Sequence, residues 1–404
     1  MGIRQRSWTT SGGEEKSAWV VEYFDAGRKW RLKTFKTKKE AQDFEATARI
    51  GLKQGRHVAD SASITVAGAG DLWIETGKKN DLVRSSLKQC GEHLRLHIKP
   101  FLGSMKLSKL TVPAVRAFEE QLRTSGRSPA MTRKVLSSLG SIVSDAMERG
   151  LASHNPLLEM RTKRRKRRTK DTRERRKQLK IGADIPEPAE IRAIIHAASG
   201  YRRAFFATAA LSGLRASELR GLRWVDVDFA AATITVYQRA DAWGSIDVTK
   251  SEAGERTVPV PALVINALRE WKLQCPRRDT GKKDAKGEPV KELHYVFPNG
   301  KGKVENQTNI VRRHWFPLQI AAGVSKPATV PKYPGLHALR HFFCSWCANS
   351  TKAGGLGLPL KETQYRMGHA TLAMTADRYG HLFKADEEKQ RETLAAGERA
   401  LMGV

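Results

Sequence analysis

Cysteine is scarce in this chain. There are four in 404 residues, Cys90, Cys275, Cys344 and Cys347, too few to staple a protein of this length in the manner of small secreted domains. Long apolar runs are missing as well. No segment approaches the eighteen consecutive apolar residues that a membrane-spanning helix needs, so no membrane partner is expected. The opening stretch "MGIRQRSWTT" has neither the apolar core of a secretion signal nor the Ser/Thr at position six that myristoylation prefers. Also absent are GxxxxGK[ST], HExxH and GxSxG, which disfavours ATP chemistry, a zincin-type metal site and a hydrolase serine. Acidic residues are in deficit: 42 Asp+Glu stand against 72 Lys+Arg, a net charge of +30.

What is present fits a globular, multidomain protein. A 40% hydrophobic fraction argues against wholesale disorder, and the length allows two or three cores. The positive charge is clustered rather than spread evenly, as suits a polyanionic partner whose condensed counterions are released on binding. Nucleic acid is therefore the expected partner and the cytoplasm the expected location, with association to the nucleoid when the protein is on DNA.

Residues 1–60 read as a small three-stranded sheet plus a helix. "SAWVVEYF" and "KWRLKTF" alternate around the turn "DAGR", and Thr37 and Glu40 have capping-box spacing ahead of "AQDFEATARIGLK". Trp19, Trp30 and Phe35 fit as glue between sheet and helix, which leaves Arg28, Lys29, Arg31, Lys33 and Lys36 as candidates for DNA contact. Residues 63–157 carry only helical signals, in four segments ending near "HNP" at 154–156. Residues 158–184 read as an interdomain linker. Its span 161–180 holds 13 basic and 2 acidic residues, a block that repels itself and could lie along a phosphate backbone, with Arg164, Arg165, Arg167 and Arg168 as candidate contacts. Residues 185–395 are expected to form a mostly helical domain with one β-rich interruption of three short antiparallel strands, "ATITVYQ", "SIDVTK" and "RTVPVP". Residues 396–404 are left as a tail, within a terminal stretch, "ADEEKQRETLAAGERALMGV", that has helical character. The fold class is mainly α with small β elements.

Candidate chemistry is scattered through the last of these domains. Arg215 follows a glycine break at a helix start, and Glu218 lies one turn on, where a carboxylate can orient a guanidinium for phosphate. Such pairs on helices are usually structural. Lys250 falls at the tip of a predicted hairpin, where solvation alone is the ordinary explanation. Tyr379 carries a poor nucleophile unless cations stabilise its phenolate. The stretch "GLHALRHFFCSWC" allows two readings: four metal ligands (His337, His341, Cys344, Cys347), or a phosphate grip of His337 and Arg340 one turn apart. A single CxxC with no second ligand pair makes metal the poorer reading. On this view His341 is a buried structural histidine, and the two cysteines pack in the core.

Taken in order, "GLRASEL", "TKSEAGERTVPVP", "LHALRH" and "MGHATLAMTADRYGH" resemble the tyrosine recombinase (phage integrase) family. The resemblance is specific over residues 185–385 and looser over the helical domain, which looks like a core-binding (SAM-like) domain. The first sixty residues resemble an arm-type DNA-binding sheet. One departure is the glycine-rich spacer "CANSTKAGGLGLPLKETQYRMGH", longer than usual before Gly-His. The resemblance implies catalytic roles for Arg215, Lys250, His337, Arg340, His369 and Tyr379, with Glu218 in support. It also implies a 3′-phosphotyrosyl intermediate, a Holliday junction handled by a homotetramer, and no cofactor. Its implied partners are duplex DNA at core and arm attachment sites, a DNA-bending host factor and an excisionase. The expected function is integration of a prophage or integrative element. A type IB topoisomerase and a non-catalytic DNA-binding protein are the alternatives.

Overall fold

The computed structural model describes residues 1–25, 29–53, 63–160, 178–249, 252–383 and 387–403. Arg28, Arg164, Arg165, Arg167, Arg168 and Lys250 lie outside the described residues. The chain divides into two compact units, Met1–Arg175 and Arg176–Val404. Among the described residues no helix is long and apolar enough to cross a membrane.

The first unit begins with an antiparallel sheet in the order β1 (Gly2–Thr9), β2 (Glu15–Phe24), β3 (Trp30–Phe35). Alternation marks β2 and β3 in the sequence, with Trp19 facing Phe35 across them. It does not mark β1, whose side chains are nearly all exposed and which is held by pairing with β2 over its whole length. Helix α1 (Lys38–Lys53) covers one face and buries Ala41 against Val21 and Tyr23. Its expected capping box is formed: Glu40 N–H donates to Thr37 Oγ1 and Thr37 N–H to a Glu40 carboxylate oxygen, both at 3.2 Å.

The helices that follow are α2 (Val66–Lys79), α3 (Arg84–His93), α4 (Lys99–Leu102), α5 (Val112–Thr124) and α6 (Pro129–Glu148). A π-helical turn, Leu94–Ile98, joins α3 to α4 just before Pro100, which has no N–H to offer a regular ladder. Side chains of Thr65, Thr111 and Ser128 cap α2, α5 and α6. Leu94, Ile98, Phe118, Leu122, Leu139 and Ile142 meet in one core.

In the second unit, α7 (Pro188–Ala197), α8 (Gly200–Ser212) and α9 (Ala216–Gly221) lead into the β elements. Helix α8 is apolar nearly all round, "AFFATAAL", so it is buried in the centre of the unit. The three expected strands are present but divided between two sheets. β4 (Val227–Asp228), β5 (Thr233–Val236) and β8 (Arg256–Pro259) form one, while β6 (Gln238–Ala240) and β7 (Ile246–Val248) form another, with "ATITVYQ" broken at Tyr237.

Helix α10 (Ala262–Gln274) packs on α8. It is followed by a second hairpin, β9 (Arg278–Lys283) with β10 (Pro289–Glu292), which corrects the expectation of a single β-rich interruption. Its strands are polar and mostly exposed, so no alternation announces them. Asp284 closes the turn by accepting from the N–H groups of Lys286 and Glu288. The remaining helices are α11 (Gln307–Asn309), α12 (Phe316–Ala321), α13 (His337–Ala348), α14 (Leu360–Met367), α15 (Leu372–Tyr379) and α16 (Glu387–Met402). Helix α16 continues through Met402, in keeping with the helical character of the terminal stretch.

Candidate active site

The site is built where α9, α13, α14 and α15 converge. Helix α8 stops at Gly213, whose φ of +67° is left-handed and whose pro-Cβ position already lies 2.3 Å from Phe343. Only glycine fits there. The turn releases Arg215 in extended geometry just ahead of α9 and places Glu218 in the first helical turn.

Glu218 is almost wholly buried and is shared by two guanidinium groups. One of its oxygens accepts from Arg215 Nη1 at 2.7 Å; the other accepts from Arg256 Nη2 at 2.9 Å and from the Arg215 backbone N–H at 2.8 Å. Burial alone would raise the proton affinity of this carboxyl. Arg256 first, then Arg215 and Arg340, overturn that effect and hold it down to about 2.

The arginines also converge on one stretch of backbone. Arg256 Nε donates to the carbonyl of Arg366 at 2.8 Å, Arg340 Nη2 to that of Met367, and Arg215 Nη2 to that of Gly368 at 2.8 Å. These three successive carbonyls close α14, which ends on left-handed Gly368 (φ +60°). A helix leaves its last carbonyls without internal partners, and here each of the three receives a different arginine. Arg340 Nη1 also donates to the carbonyl of Gly213, so the two glycine turns are tied together. A Cβ at residue 368 would stand 2.7 Å from Arg256 Nη1.

Beyond that corner the imidazole of His369 is held by Thr375, with Nδ1 2.9 Å from the buried Oγ1. Tyr379 ends α15 and is 1% exposed. Its ring lies nearly parallel to that of His369, centroids 6.3 Å apart, and its hydroxyl sits 2.6 Å from Nδ1 of His341. The His337 ring meets His341 edge-on at 4.5 Å. Burial first, then cationic neighbours and His337, depresses His341 and His369 to about 3, so both are neutral imidazoles near pH 7. Protein against part of its ring, then Arg340, Arg378 and Arg215, also lowers His337, although that residue opens to solvent. Burial raises the phenol of Tyr379, assisted by Cys344 and opposed by Arg340 and Arg378.

Arg215, Glu218, Arg256 and Arg340 thus meet at the corner that carries His369, whose ring lies beside Tyr379, and among the described residues there a single buried carboxylate faces three guanidiniums. Such a centre has spare positive charge for an anion. The signature of the phage integrase family matches residues 185–386, half of the chain and the span of this site. The chain belongs to the phage integrase family. It is a tyrosine-type site-specific recombinase.

The family's N-terminal SAM-like domain matches residues 70–122. A tyrosine recombinase XerC-like protein of Caldanaerobacter subterraneus subsp. tengcongensis is 26% identical over 373 residues, 89% of this chain and 90% of the relative. The fold is shared with the Tn1549 transposon integrase in complex with transposon right end DNA, at a TM-score of 0.60 and 20% identity over 82% of this chain and 100% of that one. It is shared too with a lambda integrase tetramer bound to a Holliday junction, at a TM-score of 0.52 and 14% identity over 90% and 95% of the two chains.

Of the residues singled out by sequence in this phage integrase family member, Arg215, Glu218, His337, Arg340, His369 and Tyr379 come together. Arg256 and the partners of His341 and Arg378 were not foreseen. Arg256 shares a strand face with Val258, so its period-2 position already placed it inward, where a guanidinium needs a carboxylate. Cys344 and Cys347 are free thiols packed with Phe343 and Met367. In the N-terminal sheet, Arg31 pairs with Asp25 at 2.8 Å and the Lys33 ammonium lies 4.5 Å over the Phe44 ring, while Lys29 and Lys36 are exposed.

Proposed function

We propose that Tyr379 is the nucleophile that cuts and rejoins DNA strands, within an integrase of a prophage or integrative element. Its Oη attacks a backbone phosphorus in line; the P–Oη bond forms as the bond to the 5′-oxygen breaks, leaving a 3′-phosphotyrosyl link. Arg215 and Arg340 neutralise the non-bridging oxygens, which is where most of the stabilisation in phosphoryl transfer arises. His337 takes the phenolic proton, His369 donates to a non-bridging oxygen, and Lys250 returns a proton to the departing 5′-oxygen. The role of Lys250 rests on its place in the sequence. Glu218 fixes Arg215. Because the covalent link conserves the energy of the broken bond, the reaction as written needs no cofactor.

The observation that carries this reading is the imbalance of one buried carboxylate against Arg215, Arg256 and Arg340, at a corner where the His369 ring lies beside Tyr379. We assign residues 1–60 to arm-site binding, 63–157 to core-site binding, 158–184 to a basic linker and 185–395 to catalysis. Lys29 and Lys36, with Arg28, Arg31, Lys33 and the basic run at Arg164, Arg165, Arg167 and Arg168, are the proposed phosphate contacts. Four protomers exchanging strands through a Holliday junction, aided by a DNA-bending host factor and an excisionase, complete the proposal. Nicked suicide DNA tests it: the wild-type protein is expected to become covalently attached and Tyr379→Phe not. Attachment that persists in Tyr379→Phe removes Tyr379 from the mechanism.

A further inference from the structure

His341 is buried, one position after Arg340, and faces the atom that reacts. Its Nδ1 lies 2.6 Å from Tyr379 Oη, and its Nε2 lies 3.3 Å from Nη2 of Arg378. Arginine has only donors. Nε2 must therefore accept, and a neutral imidazole then carries its one proton on Nδ1. The alternative tautomer would aim an Nε2–H at the Arg378 guanidinium, donor against donor. Nδ1–H consequently donates to the phenolic oxygen. We propose that His341 is a positioning residue for the nucleophile: Arg378 fixes its tautomer, and its Nδ1–H holds Tyr379 Oη and stabilises the phenolate as the phenol proton leaves.

The chemistry follows from which form receives the bond. A hydrogen bond donated to an oxygen favours its ionised state, and the ionised state is the one that attacks phosphorus. His341 keeps its own proton throughout; the phenol proton goes to the base assigned above, and the P–Oη bond replaces the bond to the 5′-oxygen. The remaining surroundings are consistent with a neutral ring. The groups that act on it electrostatically are His337, Arg340, Arg378 and Asp184, three of them cationic or able to become so, and burial adds to their effect. The edge-on His337 ring packs His341 in place. Tyr379 has a second cation at hand, since Arg378 also acts on the phenol.

This rests on Tyr379 being the nucleophile, and the test separates the two. Single-turnover formation of the covalent complex on nicked suicide DNA is measured for the full-length wild type, His341→Phe, His341→Asn, His341→Gln and Tyr379→Phe. Phenylalanine keeps the ring without a donor, asparagine places an N–H where Nδ1 stood, and glutamine places one further out. His341→Phe is expected to react about 10²-fold more slowly at neutral pH with unchanged DNA affinity, the deficit narrowing as pH rises and the phenol ionises unaided. His341→Asn is expected to recover most of the rate and His341→Gln little. The deficit must persist on DNA with a sulfur at the bridging 5′ position, whose departure needs no acid.

Equal rates for wild type and His341→Phe would overturn the proposal. So would Asn and Gln variants that are alike, a comparison that decides even if the Phe variant fails to fold. Disappearance of the deficit on the sulfur-bridged DNA would move His341 to the leaving-group side and also overturn it. Covalent attachment by Tyr379→Phe would instead overturn the underlying assignment of the nucleophile.

Discussion

Two basic regions of this chain treat positive charge in opposite ways. In the N-terminal sheet the cations sit at the surface: Arg4 reaches Glu22, Arg31 reaches Asp25, and Lys29 and Lys36 point to solvent. Pairs of that kind contribute about 0–1 kcal/mol each and are screened by salt. In the catalytic unit Arg256 and Arg340 are buried, and they donate to Glu218 and to the carbonyls of residues 213, 254, 366 and 367. Cations of the first kind are replaceable one at a time and suit a sequence-independent grip on a phosphate backbone. Those of the second kind are part of the fold, and removing one disturbs both structure and chemistry.

The comparison is sharpest at Arg340. Its removal to alanine is expected to lower covalent-complex formation by about 10³-fold, and Arg340→Lys to recover little, because an ammonium cannot span the Gly213 and Met367 carbonyls as a planar fork does. Cleavage by the lysine variant at near wild-type rate would show that charge alone suffices. Next comes Arg256→Ala, which takes from the buried Glu218 one of its two guanidinium partners and is expected to destabilise the catalytic unit by about 3 kcal/mol, read from urea unfolding. An effect below about 1 kcal/mol would place Arg256 with the surface cations.

A smaller and graded effect is expected from acid. His341 and His369 have folded values near 3 against 6.5 in the unfolded chain, so below pH 6.5 the unfolded chain takes up protons that the folded one refuses. Their contribution to stability is complete above pH 6.5 and declines as pH falls toward 3. Glu218, near 2 when folded against 4.5, adds a second decline as pH drops from 4.5 toward 2. Melting temperatures between pH 7.5 and 4 check the sign; a flat profile would contradict it. The smallest effects belong to Lys29→Ala and Lys36→Ala. Stability is expected to be unaltered, DNA binding weaker at all sequences, and the salt dependence shallower by about one unit of slope for each phosphate no longer neutralised.

Much of this was legible in the chain itself, for identifiable reasons. His337 and Arg340 were readable because i, i+3 on one helix brings them together whatever the rest of the fold does. Arg215 and Glu218 were readable for the same reason, as was the capping box at Thr37 and Glu40. Arg256 was not, since its partners are 38 and 110 residues away in sequence and only folding brings them near. His341 was placed in the core, but its bond to Tyr379 crosses 38 residues and two helices. Strands β9 and β10 escaped notice because pairing and turn chemistry, not an apolar face, hold them.

The three carbonyls at the end of α14 concentrate the support of three arginines in one short piece of backbone. They belong to consecutive residues, and Arg256, Arg340 and Arg215 each hold one. A displacement of the Gly368 corner by more than hydrogen-bond tolerance would release all three grips in the same instant, together with the placement of His369. The placement of three arginines and of His369 therefore hangs on a single bend in the backbone.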